Sequence, residues 1–338
     1  VMNQGRGRAP SMIDVAKQAG VSHQTVSRAI NTPEALRSDT LERVRRAMRD
    51  LGYRRNSQAR ALKTRKTGLI GVVNPGDSSF GPNRTTLAIE EAARKQGFAT
   101  ALSVVRDARK ETVDSTLDFF LGHGVEAVIV IAPVPTVADA ARQLSTRMPV
   151  VIVTSGLSAA ADQNVVGIDQ EMGARLVVQH LLTLGHRNVA HISGPDDWYD
   201  ARGRVTGWRQ LLAESGLEAG AQVGSSGWTA ECGFRAAQEL LAHDTPDAIF
   251  VANDFMALGA IRALESRGLR VPYDVSVVGY DDVDAAAYFS PSLTTVRQPF
   301  ETAGRAAMNM LLRITAEKVP GDGLIAPELV IRSSAGRR

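Results

Sequence analysis

Ser11-Met12-Ile13-Asp14-Val15-Ala16-Lys17-Gln18-Ala19-Gly20-Val21-Ser22-His23-Gln24-Thr25-Val26-Ser27-Arg28 reads as two short helices joined by a glycine turn. Ser11 and Asp14 stand three apart, a capping-box spelling with Asp in place of Glu or Gln. Ile13, Val15, Ala16 and Ala19 are the expected buried face of the first helix. Gly20 follows where a left-handed residue closes the turn, a conformation that costs glycine least. Ser22 then caps a second helix with Val26 and Ala29 inward and His23, Gln24, Thr25, Ser27 and Arg28 outward. A third helix is expected with Ser38 as its cap, Leu41, Val44, Met48 and Leu51 at helical spacing, and Gly52 as its stop. The arrangement is that of a helix-turn-helix.

Charge is distributed unevenly around this stretch. Residues 1 to 66 hold 15 Lys and Arg against 5 Asp and Glu, whereas the other 272 residues hold 24 against 31, in a chain of net charge +3. A basic head on an acidic body suits a head that meets a polyanion. On the second helix, Gln24 and Arg28 have the side chains that pair bidentately with adenine and guanine in the major groove, with His23 beside them. Ser22, Thr25 and Ser27, with the helix N-terminus, suit phosphate oxygens. Arg43, Arg45, Arg46 and Arg49 line one face of the third helix. The plainer alternative is a solvated bundle that happens to be arginine-rich.

With 338 residues and 44% hydrophobic content, the chain suits two or three folded domains. Its one cysteine, Cys232, has no partner for an internal disulfide, in keeping with a reducing cytoplasm. No apolar run approaches the roughly 20 residues that span a bilayer, and the polar start Asn3 to Arg8 lacks the apolar core of a secretion signal. The expectation is a cytoplasmic protein with no membrane segment. No closely spaced Cys/His set suggests a metal, and no cofactor motif is present.

Asp14-Val15-Ala16, Ala19-Gly20-Val21-Ser22, Thr25-Val26-Ser27-Arg28, Asn31, Leu51-Gly52-Tyr53 and Asn56 together resemble the lactose-repressor (LacI/GalR) family. The resemblance implies phosphate contacts from Asn31, Tyr53 and Asn56. It also implies a hinge helix over 56–63 that folds on operator DNA, with Ala59 and Leu62 on one face and Leu62 wedged into the minor groove. An inserted apolar side chain unstacks a base step and kinks the duplex.

From Thr67 onward, apolar runs alternate with amphipathic stretches. Strands are expected at 68–73, 127–131, 150–153, 189–192, 248–251 and 275–278, with helices near 85–95, 112–121, 136–145, 171–184, 202–215, 231–242 and 255–267. Continuous β-branched runs indicate parallel strands covered on both faces. There are too many units for one sheet, so two doubly wound α/β subdomains are expected, with a ligand at the carboxyl ends of their strands. Asn253-Asp254, Asp281-Asp282, Arg202 and Arg204 fall near such ends, and Trp228 lies in a Gly/Ser loop. An aromatic platform with Asn, Asp and Arg around it suits a sugar, which has an apolar face and a hydroxyl rim. Each also has a bland reading: Asp254 and Asp281 as helix caps, Trp228 as core.

The family resemblance extends through Thr183-Leu184-Gly185-His186, Gly194-Pro195, Gly227-Trp228-Thr229-Ala230, Val251 to Gly259, Val277 to Asp282 and Leu293 to Val296, nearly the whole chain, and is closest in pattern to the family's namesake. It implies a periplasmic-binding-protein-like core crossed three times by the chain. The divisions it implies are 1–66 for the DNA-binding domain with its hinge, 67–166 plus 298–326 for the first subdomain, and 167–297 plus 327–338 for the second. It also implies effector contacts from Arg204, Trp228, Asn253, Asp281, Gln298 and Phe300. Departures are Thr154 where the namesake has an acidic group, Ile131 where it has asparagine, and Pro299 inside the last motif; Gly81, Pro82 and Thr85 match in part.

The expected function is a homodimeric repressor of a carbohydrate-use operon, released from a palindromic operator when a mono- or disaccharide enters between the lobes. The ending Ser333 to Arg338 has no leucine heptad, so a dimer rather than a tetramer is expected. A purine or nucleoside co-repressor is the alternative within the family. An enzyme is the alternative outside it, though no Gly-x-Ser-x-Gly or phosphate loop supports it. A transport-type binding protein would leave the basic head without a purpose.

Overall fold

The computed structural model describes residues 10–53, 66–76, 79–104, 109–157, 164–243, 245–316 and 324–338. The chain divides into two compact units between Thr67 and Gly68. The hinge expected over 56–63, with Asn56, Ala59 and Leu62, lies outside the described residues.

The small unit contains α1 (Met12–Ala19), α2 (His23–Asn31) and α3 (Ser38–Asp50). Asp14 N–H donates to Ser11 Oγ, and Ser11 N–H donates to Asp14 Oδ2 at 2.8 Å, so the capping box is complete. Gly20 closes α1 at φ 63° and ψ 41°. The core is Val15, Ala16, Ala19, Val26, Val44 and Ala47. Two expectations need correction. Ile13 is 53% exposed, and Met12 packs inward instead, because Met12, Val15, Ala16 and Ala19 are the set at i, i+3, i+4 and i+7. Ser38 is the first helical residue of α3; Arg37, in extended backbone, holds the cap position without a side-chain bond.

The large unit has two lobes. In the first, β1 (Leu69–Asn74), β2 (Ala99–Val104), β3 (Ala127–Ile131), β4 (Val150–Val153), β5 (Val165–Ile168) and β11 (Leu324–Ile325) form a parallel sheet in the order β11-β5-β4-β3-β1-β2. Helices α4 (Phe80–Lys95) and α11 (Phe300–Thr315) cover one face; α5 (Lys110–Gly122) and α6 (Pro135–Ser145) cover the other. In the second lobe, β6 (Val189–Ser193), β7 (Gln222–Gly224), β8 (Ala248–Val251) and β9 (Ser276–Val278) run parallel in the order β7-β6-β8-β9. There α7 (Gln170–Thr183) and α8 (Tyr199–Glu214) pack on one face, α9 (Ala230–His243) and α10 (Asp254–Ser266) on the other.

The chain passes between lobes after β5, at β10 (Thr295–Arg297) and at β12 (Glu328–Val330); the last two pair antiparallel. Asp282 ties them down, accepting from Arg297 and Arg332 at 2.6 Å each. The first sheet runs to Ile168, two residues past the expected division at 166, because β5 pairs with both β4 and β11. Strand β2, whose side chains are only partly covered, the short strands β5, β7, β10, β11 and β12, and helix α11 escaped the pattern reading. The six strands that were expected are all buried apolar runs.

Candidate functional site

On α2, Ser22 Oγ accepts Thr25 N–H at 3.1 Å and lies 2.9 Å from Thr25 Oγ1. Val26 is fully buried, so the helix is held by one side. His23, Gln24 and Arg28 project from the other into solvent. Asn31 donates to Ser27 O at 2.9 Å, and Tyr53 packs half-buried against the three-helix core. The face combines two bidentate-capable side chains with short hydroxyls at a helix N-terminus, the chemistry of base edges and phosphates.

In the large unit, a cleft open to solvent lies between the carboxyl ends of the two parallel sheets. Gly81, Pro82, Thr85, Ile131, Val153 and Thr154 supply its first-lobe wall. Gln170, Trp198, Asp200, Gln298 and Phe300 line it as well. The first wall carries no ionisable group; the one acidic group in the lining, Asp200, comes from the second lobe.

Behind the second-lobe side of the cleft is a buried polar chain. Arg204, 2% exposed on α8, donates from Nε to Gln170 Oε1 at 3.0 Å and from Nη1 to Ala252 O. Gln170 donates to Gln298 Oε1 at 2.9 Å, and Gln298 donates to Asp281 Oδ1 at 2.6 Å. Arg204 Nη2 stands 3.8 Å from Asp200 Oδ2 and 3.9 Å from Asp281 Oδ1. The guanidinium lies 3.8 Å from the centre of the Tyr280 ring, a cation–π contact in a site shielded from water. Burial pushes the Asp281 carboxyl up to about 6, against the pull of Arg204 and the Gln298 bond.

Asp281 takes φ 111°, a conformation rare for a side-chain-bearing residue, and its N–H donates to Val296 O at 2.8 Å. The turn after β9 is thereby held against the crossing strand β10, which places the carboxylate. Asp254 is instead a structural tie. Fully buried, it accepts from Thr295 Oγ1 at 2.5 Å and Val283 N–H at 2.8 Å. Burial, with Asp281 nearby, raises its carboxyl well above the usual range.

Of the residues expected to bind an effector, Arg204, Gln298 and Asp281 come together in one network, and Phe300 lines the cleft. Phe300 packs edge-on to Phe80 at 5.8 Å. Trp228 is half-buried, 5.3 Å from Trp198 in an edge-to-face pair, and its Nε1 is buried without a hydrogen-bond partner. Asn253 is turned away from this network: its Oδ1 caps α10 through Met256 N–H at 2.7 Å, and its Nδ2 donates to Trp228 O at 3.1 Å. It positions the tryptophan loop. Arg202 is exposed and donates to Asp196 O. Sequence reasoning missed Trp198, Asp200 and Gln170. Trp198 and Asp200 follow the Gly194-Pro195 strand end and were findable there; Gln170, the first residue of α7, had no local signal.

Among the described residues no group of three or more His, Cys, Asp or Glu is arranged to hold a metal, and no helix is long and apolar enough to cross a membrane.

Residues 11–56 match the family described as bacterial regulatory proteins, lacI family, and residues 178–335 match the periplasmic binding protein-like domain. The lactose operon repressor of Escherichia coli (strain K12) is 34% identical over 96% of this chain and 90% of its own length. The HTH-type transcriptional regulator CelR of Thermobifida fusca is 34% identical over 97% of this chain and 99% of its own. A HTH-type transcriptional repressor PurR of Haemophilus influenzae is 33% identical over 95% and 97%. Among solved structures, the lac repressor dimer bound to operator and the anti-inducer ONPF superposes with a TM-score of 0.83, at 33% identity, covering 97% of this chain and all of that one. The CelR-cellobiose complex superposes at 0.70, with 32% identity over 96% of this chain and all of the other.

Proposed function

The chain belongs to the lacI family of bacterial regulatory proteins, and from that premise we propose that it is a cytoplasmic, DNA-binding transcriptional repressor of a carbohydrate-use operon, released by a small sugar. The observation that carries this reading is the pairing, in one chain, of a basic helix-turn-helix with an exposed polar reading face and a two-lobed core with a polar, aromatic-walled cleft. In it His23, Gln24 and Arg28 read bases. Ser22, Thr25, Ser27, Asn31, Tyr53 and Asn56 hold phosphates, and Ala59 and Leu62 belong to a hinge that opens the minor groove.

Arg204, Asp281 and Gln298 are the polar half of the sugar site, with Asp281 accepting hydroxyls, and Trp198 and Trp228 supply the apolar platform. Phe300 closes the floor and Asn253 holds Trp228 in place. The structural relative in complex with cellobiose supports a disaccharide. The first-lobe wall differs from a galactoside site at Ile131 and Thr154, which argues against lactose itself.

Homodimerisation is supported by the lac repressor dimer among the structural relatives and by Phe255 and Leu258, exposed one turn apart on α10. The signal passes as lobe rearrangement: a sugar shifts operator affinity only through different affinities for the two arrangements. The similarity to purine repressors favours one second reading, a purine as co-repressor. The relatives are transcriptional regulators, and nothing in them supports an enzyme.

The test is selection of DNA from a random pool by the purified chain, followed by gel shift with cellobiose, lactose or hypoxanthine. The expected result is a palindromic site whose complex dissociates with cellobiose. Tighter binding with hypoxanthine selects the purine reading, and failure to enrich any DNA removes both.

A further inference from the structure

We propose that Ser155 and Gly156, at the end of β4 in the first lobe, and Tyr199 and Asp200, at the start of α8 in the second, form a latch across the cleft that sets the separation of the lobes. Tyr199 begins a second-lobe helix, yet its side chain packs against the first lobe's apolar cluster. Its N–H donates to Pro133 O at 2.8 Å, a main-chain bond from one lobe to the other. Ser155 Oγ donates to Asp200 Oδ1 at 2.5 Å across the same gap.

Gly156 is the residue that permits this seating. A Cβ there would stand 1.9 Å from Tyr199 Cδ1 and 2.1 Å from Cγ, well inside contact distance. Those atoms belong to the rigid inner edge of a ring packed between lobes, so the ring must leave for any side chain to fit. The seat is thus specific for glycine on one side and is filled by an aromatic ring on the other.

Every contact in the latch comes from the protein itself, so its strength is a property of the chain. Asp200 also lines the cleft, half-buried, with its second oxygen 3.8 Å from Arg204. A ligand hydroxyl donated to Asp200 competes with Ser155 for the same acceptor. Ligand chemistry thereby acts directly on a bond that joins the lobes, which is how a small molecule changes their equilibrium. The latch rests on the proposed regulator reading only for its consequence at the operator, not for its existence.

Hydrogen exchange on the full-length protein, with no DNA or sugar added, tests the latch directly. In Gly156→Ala, segments 131–134, 154–157 and 196–200 are expected to exchange about tenfold faster, while β8 exchanges as in the parent. Tyr199→Ala adds no atoms and strains nothing; it is expected to give the same pattern, and stands alone if Gly156→Ala does not fold. Asp200→Asn keeps the ring seated and is expected to speed exchange about two- to threefold. Parent-like exchange of the three segments in Tyr199→Ala overturns the latch. The operator arm is separate. If the parent protein selects DNA, the latch variants should shift operator and sugar affinity in opposite directions, and unchanged affinities overturn the role in lobe spacing. If the parent selects no DNA, the regulator reading falls while the exchange result still decides the latch.

Discussion

Helix α2 of the small unit and the cleft region of the large one are both polar, but they hold their polar groups in opposite ways. On α2, His23, Gln24 and Arg28 stand in water, and Val26 anchors the helix from behind. Behind the cleft, Arg204, Gln298 and Asp281 are nearly inaccessible and are joined in one network. A solvated side chain keeps its charge and its donors ready for a large polyanion and costs the fold little. Buried groups must be satisfied within the protein, and are therefore coupled to stability and to pH. DNA reading should consequently tolerate change at single positions, whereas the cleft should not.

The sharpest way to break this contrast is Arg204→Met. Removing the guanidinium takes the donor from the Gln170 oxygen and the Ala252 carbonyl and the neighbouring cation from buried Asp281, so a loss of about 3–5 kcal/mol is expected, read as denaturant midpoint. A midpoint like the parent's would mean that the network is solvated after all. Arg28→Ala is expected to leave stability unchanged. It should weaken operator binding by about 1–3 kcal/mol and relax preference at one base pair, as measured by gel shift on single-base variants of the site.

The pH response sharpens the contrast further. Asp281 has its carboxyl raised to about 6 in the fold, from an unfolded value of 3.8. Between those values the folded state binds the extra proton, so this group's contribution to stability falls as pH rises through the window. The ionised form is the better hydroxyl acceptor, so sugar affinity runs the other way, weakening about tenfold per unit below pH 6. Calorimetric titration from pH 5 to 8 checks it, and Asp281→Asn should flatten the profile. The smallest effect belongs to the head: Ser22→Ala, which removes the α2 cap, should cost about 1 kcal/mol by thermal unfolding. A larger loss would show that α2 depends on its cap more than on Val26.

Much of the fold was legible because its determinants are local. The Ser11–Asp14 box, the Gly20 turn and the inward Val26 lie within a few residues of the groups they engage. The β-branched runs of β1, β3, β4, β6 and β8 announce buried parallel strands for the same reason. Reading failed where a neighbouring segment decided the outcome. Ile13 has the right chemistry for a core and the wrong angular position beside Met12. Strand β2 has only partly covered side chains because it sits at a sheet edge. Asn253, a plausible ligand group by type, uses its oxygen for a helix cap and its nitrogen for the Trp228 loop.

The cleft divides along the same line. Strand-end position and family resemblance were enough to nominate Arg204 and Asp281, each in its own short motif, and the resemblance alone nominated Gln298 beside the interrupting Pro299. That they share one proton-sensitive network, joined through Gln170 and faced by Asp200 and Trp198, depended on packing: Gln170 and Gln298 are 128 residues apart, and Arg204 and Gln170 are 34 apart. So did the seating of Tyr199 on Gly156. Hydrogen bonds and steric fit between distant segments depend on how two sheets and three chain crossings bring them together, and periodicity along the chain carries no record of that distance.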